Sequence, residues 1–343
     1  MSNYEYAEKP MSNYEYAEKP MSNYEYDKYV CTKETLKETV GKYGVAIIPN
    51  VLDENECDTM VSQMWDFFEY ITQKWDTPLR RDDTSTWKEF YKLYPLHSML
   101  IQYWGVGHSQ ASWNVRQNSR IADIFAHFWE CRADDLLVSF DGLSFNLPPE
   151  VTKRGWYRGN TWYHTDQSYT TNEFRCLQSF ITGCDINDYD ATLSFMEASN
   201  NYHEEFRKAY GVTDKSDWYK LTKEQEAFYS AKGCDIKNIK CPKGSLVFWD
   251  SRTIHCGIEA DKKRSMPNTR AVIYLCYMPR VLCDPTNLRK KQKAFGELRT
   301  TNHYPCKIKL FPKLPRTYGG VVPTITDAPP PTLSEFGKKL AGL

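Results

Sequence analysis

The second half of the chain alternates short apolar runs with turn residues, and this pattern restricts the possible folds more than any other feature. The runs cover residues 136–140, 177–181, 245–249 and 270–277. Apolar runs of this length predict strands, and strands at intervals with turns between them favour a β sandwich or barrel. With 343 residues, of which 41% are hydrophobic, the chain is long enough to bury one substantial core.

The first half of the chain predicts helices around a single strand. Residues 32–40 have the pattern of a capped amphipathic helix, and residues 44–49 predict a strand. Apolar residues then recur at helical spacing over residues 53–71, and a further helix is expected at 121–131. We therefore expect the β domain to carry helices at its N-terminal side.

Four segments follow from this pattern. Residues 1–30 repeat a decapeptide that has too few aliphatic residues for a core, which predicts a flexible tail. Residues 31–304 form the predicted catalytic domain, interrupted near 201–232 by a polar stretch that predicts a helical insertion. Residues 305–343 form a proline-rich extension that ends in a short helix.

Charge and cysteine content exclude several classes of protein. The 44 basic and 44 acidic residues cancel, so nucleic acid is an unlikely partner. The eleven cysteines include no Cys-x-x-Cys pair, which argues against a disulfide framework or a thiolate zinc site and favours the cytoplasm or nucleus. No apolar run reaches the roughly 18 residues that cross a bilayer. The sequence leaves the oligomeric state open.

Histidine spacing indicates a metal site. Of the seven histidines, His164 and His203 have a carboxylate two positions later. The residues around His164 predict a strand, in which His164 and Asp166 point to the same face. The stretch around His203 predicts a helix, in which positions i and i+2 diverge by about 200°. His164 and Asp166 are therefore the stronger candidate ligands.

The third ligand must come from a distant strand, and His255 fits because it closely follows the apolar run at residues 245–249. Two imidazoles and one carboxylate leave positions open on Fe(II), as chelation of a keto-acid and binding of O2 require. Arg270, at the head of the last strong apolar run, offers a planar charged fork for the distal carboxylate of 2-oxoglutarate. Arg264 and Arg280 compete for this role.

At these residues the sequence resembles the phytanoyl-CoA dioxygenase-like family of Fe(II)- and 2-oxoglutarate-dependent oxygenases. The resemblance rests on residues 44–52, 164–166, 191–200, 243–255 and 270. It implies a double-stranded β-helix, a mainly β, cupin-like jelly roll with N-terminal helices. It also implies Fe(II), 2-oxoglutarate and O2 as cofactors, and hydroxylation of a small-molecule substrate with release of succinate and CO2.

The resemblance also gives Gln178 a role as a hydrogen-bond donor or acceptor to the co-substrate or substrate. A satisfied amide inside the barrel is an equal alternative for this residue. Asp166 favours hydroxylation over halogenation, whereas desaturation and epimerisation stay open. Two rival functions are a non-catalytic jelly-roll module that binds metal or ligand and a zinc hydrolase, which would leave Arg270 without a role.

Overall fold

The computed structural model describes residues 25–93, 99–315 and 321–343. In this part of the chain twelve strands form two five-stranded antiparallel sheets and one two-stranded ribbon. The strands are β1 (Val45–Ile48), β2 (Leu136–Val138), β3 (Leu143–Asn146), β4 (His164–Thr165), β5 (Leu177–Thr182), β6 (Thr192–Met196), β7 (Tyr219–Lys220), β8 (Ile236–Asn238), β9 (Leu246–Asp250), β10 (His255–Ile258), β11 (Arg270–Leu275) and β12 (Tyr277–Pro279). The larger sheet has the order β1-β9-β5-β11-β3 and the smaller β7-β4-β10-β6-β8, while β12 pairs with β2. The two facing sheets confirm the predicted jelly roll.

Nine α-helices surround the sheets in the described residues. They are α1 (Leu36–Tyr43), α2 (Glu54–Thr72), α3 (Gln110–Arg116), α4 (Ser119–Trp129), α5 (Pro149–Thr152), α6 (His203–Tyr210), α7 (Lys223–Ala231), α8 (Pro285–Gly296) and α9 (Glu335–Ala341). Asp53 and Glu56 start α2 with a reciprocal capping box, which satisfies two backbone N–H groups. No helix in these ranges combines the length and apolar character that crossing a bilayer requires.

Strand alternation divides the larger sheet into two faces. Residues such as Ala46 and Phe248 belong to a core that includes the apolar faces of α2 and α4. Their neighbours Val45 and Trp249 belong to a second core, between the sheets, with Phe195 of the smaller sheet. Successive side chains of a strand point to opposite faces, so each strand contributes to both cores.

Register then decides which polar side chains enter the space between the sheets. Gln178 lies opposite Trp249, and Phe180 lies opposite Tyr274. Because positions two apart share a face, Arg270 points to the same side as Tyr274. The interval between the sheets therefore holds an amide, an indole and a guanidinium next to apolar residues.

The folded domain begins before the predicted boundary at residue 31. Residues 1–24 of the predicted tail lie outside the described residues, but Glu25–Tyr29 forms a 3-10 helix. Tyr26 and Tyr29 are buried in the core between the sheets, and Val30 pairs with Ile47 of β1. The ring of Tyr26, which belongs to the third decapeptide copy, and the ring of Tyr29 thus fill core space that a flexible tail would leave empty.

Two other predicted segments make contacts that the sequence did not indicate. The insertion at 201–232 contains α6 and α7 as expected, but also β7, which pairs with β4 and extends the smaller sheet. The chain beyond residue 304 continues to pack against the domain, since Leu310 pairs with Thr301 and Ile308 is buried. Long-range pairing of this kind has no local sequence pattern.

Replacing Tyr29 by alanine tests the packing of this N-terminal segment. The ring is 1% exposed and packs edge-on against Phe195 at 5.5 Å between centroids, so Tyr29→Ala should cost about 3 kcal/mol of unfolding free energy. Urea denaturation measures the change. Tyr70→Ala on α2, where the ring is 43% exposed, is the control and should shift stability by less than about 0.5 kcal/mol. Equal effects would show that the segment does not pack as described.

Candidate metal centre

Two neighbouring strands of the smaller sheet bring the predicted ligands together. β4 and β10 are antiparallel, and His164 lies directly opposite His255. Asp166 follows β4 and is held by its backbone N–H, which donates to the Ser251 carbonyl at 3.1 Å. Its carboxylate oxygens lie 3.5 Å from His164 Nε2 and 3.4 Å from His255 Nε2. Among the described residues, these three form the one group of at least three donor residues suited to hold a metal ion.

Hydrogen bonds fix the orientation of both imidazole rings. His164 Nδ1 lies 3.2 Å from the Trp162 carbonyl, and His255 Nδ1 lies 2.9 Å from the Thr253 carbonyl. Since a carbonyl oxygen only accepts, each Nδ1 carries the proton and donates it. Each Nε2 therefore keeps a free lone pair that faces Asp166, which is the arrangement that a metal ion requires.

Electrostatics keep the donors in the forms that bind metal. Burial acts to raise the pKa of Asp166, but the proximity of the His164 and His255 imidazoles, which would stabilise the carboxylate if they were protonated, outweighs it and holds the pKa well below its ordinary value. Burial, together with the charge of His255, lowers the pKa of His164. At neutral pH the carboxylate is ionised and the His164 ring is neutral.

Gln178 supports the carboxylate from the larger sheet. Its side-chain nitrogen donates to Asp166 Oδ2 at 2.9 Å, so its donor already has a protein partner. Its carbonyl oxygen Oε1 is buried and has no hydrogen-bond partner among the described residues. The residue thus combines the two alternatives from the sequence: one end is a satisfied interior amide, and the other can accept from a bound molecule.

Arg270 is buried between the sheets without an acidic partner among its described contacts. Its guanidinium donates to the Ala191 carbonyl at 3.2 Å and lies 5.1 Å from the centre of the Phe180 ring. Nε is buried and unpartnered. An uncompensated buried cation is costly, so this position suits an anionic ligand.

The two competing arginines already have protein partners. Arg264 is paired with Glu150 at 2.7 Å and with Asp190 at 3.2 Å. Arg280 donates to the backbone carbonyl of Lys339 in α9. Arg264 therefore has two carboxylate partners, whereas Arg270 has none among the described residues, and Arg280 is only partly buried and is directed to α9.

A path of aromatic rings leads from the metal group to Arg270. The Trp249 ring lies 5.5 Å from His255 and 6.1 Å from Phe180, which contacts the guanidinium of Arg270. Trp249 Nε1 is buried without a hydrogen-bond partner in the described part of the chain, as are Gln178 Oε1 and Arg270 Nε. Buried polar atoms usually have hydrogen-bond partners. Three buried polar atoms without partners on one face of the sheet therefore fit a polar ligand such as 2-oxoglutarate.

Four further residues beside the metal group were not found from the sequence. They are Asp217, Trp218, His303 and Tyr304. The first two come from the insertion and the last two from the end of the predicted domain, and no spacing rule connects them with His164.

Of the aromatic residues around the metal motif, Trp162 stacks on His164 at 4.7 Å, whereas Tyr163 points away and contacts the Ser194 hydroxyl.

A jelly roll that carries a group of two histidines and one carboxylate is an arrangement typical of non-haem Fe(II) oxygenases. The sequence model of the phytanoyl-CoA dioxygenase family (PhyH) matches residues 40–260, which is more than half of the chain. The protein belongs to this family. The donor set and the buried guanidinium of Arg270 fit Fe(II) and 2-oxoglutarate, the cofactors that the sequence predicts.

One curated relative and two solved structures illustrate the similarity. Ava biosynthesis cluster protein O from Aspergillus versicolor is 27% identical over 213 residues, which cover 59% of this chain and 65% of that relative, just under two thirds of its length. The hypothetical protein JW0805 from Escherichia coli has a TM-score of 0.57 at 14% identity, covering 92% of this chain and 85% of that one. GIG2 from Candida albicans has a TM-score of 0.54 at 14% identity, covering 78% and 70%. At these identities the two structures show the shared fold.

Comparing the two buried arginines gives a test of the site. In protein without iron or 2-oxoglutarate, Arg264→Met should lose about 3 kcal/mol of stability, because Glu150 and Asp190 are left without their cation. Arg270→Met should lose less than about 1 kcal/mol, because it leaves no carboxylate behind. Urea denaturation of both variants measures the difference. Equal losses would mean that Arg270 is a structural residue with no capacity left for a ligand.

Proposed function

We propose that the protein is a dioxygenase that hydroxylates a small molecule, with His164, Asp166 and His255 as the ligands of Fe(II). The observation that carries the proposal is the convergence of these three donors across the β4–β10 pair, with both Nε2 atoms turned inward. When bound, Fe(II) and 2-oxoglutarate supply the oxidising power, with O2 consumed and succinate and CO2 released. The protein supplies geometry, charge and exclusion of water.

Arg270 is the residue that we propose for the distal carboxylate of 2-oxoglutarate. Its burial, its unpartnered Nε and the lack of an acidic partner among its described contacts support this role. We propose that both the nitrogen and the oxygen of the Gln178 side-chain amide have a role in the site. Its nitrogen holds the orientation of Asp166, and its free Oε1 accepts from the substrate or from a water molecule in the site.

The arrangement argues against the two rival functions. A zinc hydrolase has no use for a buried, unpaired arginine on the adjacent sheet, whereas a dicarboxylate co-substrate does. A non-catalytic module that had lost turnover would not be expected to keep three donors, an ionised Asp166 and a buried cation together. Iron-dependent succinate formation separates all three functions.

The similarity to a biosynthesis cluster protein of Aspergillus versicolor supports a small-molecule substrate. The equal numbers of acidic and basic residues make nucleic acid a poor candidate. All eleven cysteines are unpaired in the structure, which supports the proposal of a reducing compartment, the cytoplasm or nucleus.

Removing one proposed ligand tests the metal assignment. His255→Ala should lose most of the bound iron, measured by metal analysis after anaerobic loading, because two donors hold Fe(II) much more weakly than three. His127→Ala, an exposed histidine on α4, is the control and should bind iron as the wild type does. Stoichiometric iron of unchanged affinity in His255→Ala would refute the ligand assignment.

Changing the guanidinium tests the co-substrate assignment. Arg270→Lys keeps the charge but loses the fork, and should weaken 2-oxoglutarate binding by on the order of 2 kcal/mol, roughly thirtyfold in the Michaelis constant. Arg270→Ala should nearly abolish succinate formation, while iron content stays at the wild-type level. Arg280→Ala is the matched control. If Arg270→Ala turned over 2-oxoglutarate normally and Arg264→Ala or Arg280→Ala did not, the clamp would lie on another arginine.

A further inference from the structure

Two segments far apart in sequence meet beside the metal group. The insertion reaches it because β7 pairs with β4, with Tyr219 opposite Thr165, so that Trp218 and Asp217 lie next to the metal motif. The segment after α8 reaches it through Tyr304, whose hydroxyl lies 3.4 Å from the Asp166 carbonyl. An ion pair between Lys307 and Asp217 joins the two segments.

Each segment presents one buried polar atom that has no partner in the described chain. These atoms are Oδ1 of Asp217, whose other oxygen takes the ion pair with Lys307, and Nε2 of His303. His303 lies near the metal group, because Asp166, His164 and His255 all act on its ring, and Asp217 adjoins Trp218, whose ring lies 5.6 Å from that of His164. Burial lowers the pKa of the His303 ring, and the charges of Asp166, Asp217 and both proposed histidine ligands also act on it.

His303 and Asp217 are not part of the ligand set. The ligand atoms of His164, Asp166 and His255 all lie within 4.8 Å of one another. His303 is also one of the described residues, but it does not belong to this group. A buried acceptor and a buried ring nitrogen without a partner in the described part of the chain suit a further hydrogen-bonding ligand.

The same region carries an aromatic wall. The Trp162 indole is nearly parallel to the His164 ring at 4.7 Å, and its N–H donates to the Gly257 carbonyl. The Trp218 ring lies 5.6 Å from His164, yet 51% of the residue is exposed. A half-exposed indole beside a buried imidazole offers a flat surface for stacking.

We propose that Asp217, Trp218 and His303 form the substrate-recognition wall of this enzyme, and that its substrate is a small planar molecule with at least one O–H or N–H donor. The ring packs on Trp218, Asp217 Oδ1 accepts from the donor, and His303 Nε2 makes a second hydrogen bond. This inference rests on the proposed function, because it places the substrate beside the iron ligands.

Charge and hydrogen bonding set the selectivity of this wall. Asp217 is ion-paired with Lys307 through its other oxygen, and a carboxylate in an ion pair accepts hydrogen bonds, so a substrate must bring a donor to Oδ1 and an anionic group at that position is repelled. An analogue of the same shape without the donor leaves Oδ1 buried and unpaired, which is the strongest form of discrimination that a binding site has. Loss of the Trp218 ring, in contrast, should weaken the binding of ligands with and without the donor equally.

Indole and 1-methylindole are suitable probes, because they share a planar ring and differ in the N–H. Binding is measured by calorimetry under anaerobic conditions, with protein loaded with Fe(II) and 2-oxoglutarate. The wild type should bind indole at least about tenfold more tightly than 1-methylindole. Asp217→Ala should remove this preference, His303→Gln should reduce it, and Trp218→Ala should weaken both probes by a similar factor.

Asp214→Ala is the matched control, since Asp214 is an exposed aspartate of the same insertion that bonds to Ser216. It should keep the preference for indole. Equal affinity for the two probes in the wild type, no binding of either probe, or a preference that survives in Asp217→Ala would overturn the inference. If the wild type binds iron and 2-oxoglutarate but shows no preference, the inference alone fails. If it binds neither cofactor, the proposed function fails.

Discussion

The site depends on one backbone pairing, the antiparallel contact between β4 and β10 that sets His164 opposite His255. In such a pair the Cβ atoms of opposed residues lie about 5 Å apart, and the two rings here are 4.4 Å apart. Asp166 then needs only two further residues of extended chain to reach both Nε2 atoms. A shift of one residue in this register would turn one imidazole to the opposite face of the sheet and separate it from the other two donors.

Around this pairing the protein leaves several polar groups buried without partners. Orphan atoms lie on Gln178, Trp249 and Arg270 between the sheets, and on Asp217 and His303 at the other side of the metal group. Each such atom costs about 1–3 kcal/mol. Two apolar cores, one between the sheets and one under the helices, offset this cost. Stability is therefore concentrated in the cores, and the region near the metal group keeps unsatisfied hydrogen-bonding capacity for ligands.

The larger sheet contributes both to the apolar cores that stabilise the protein and to the polar groups near the metal site. Its helix-facing side is apolar, whereas its inner side alternates apolar residues with Gln178, Trp249 and Arg270. One strand can thus contribute to a core and to a site because its side chains alternate. Aromatic rings line the interval between the guanidinium and the imidazoles, next to the polar atoms of Gln178, Trp249 and Arg270 that have no partner among the described residues.

The sequence by itself predicted strands β1, β2, β4, β5, β9 and β11, the helical period of α2, and His164, Asp166 and His255 as candidate ligands, because strand alternation, helical spacing and His-x-Asp spacing are local. It also left three arginines as candidate clamps, and only the tertiary structure separated them, since the ion pairs of Arg264 with Glu150 and Asp190 join distant segments. The structure alone decided that Tyr26 and Tyr29 belong to the core, and that Asp217 and His303 lie beside the metal group. Contacts between segments that are 50 or more residues apart depend on strand pairing and packing, which no local pattern encodes.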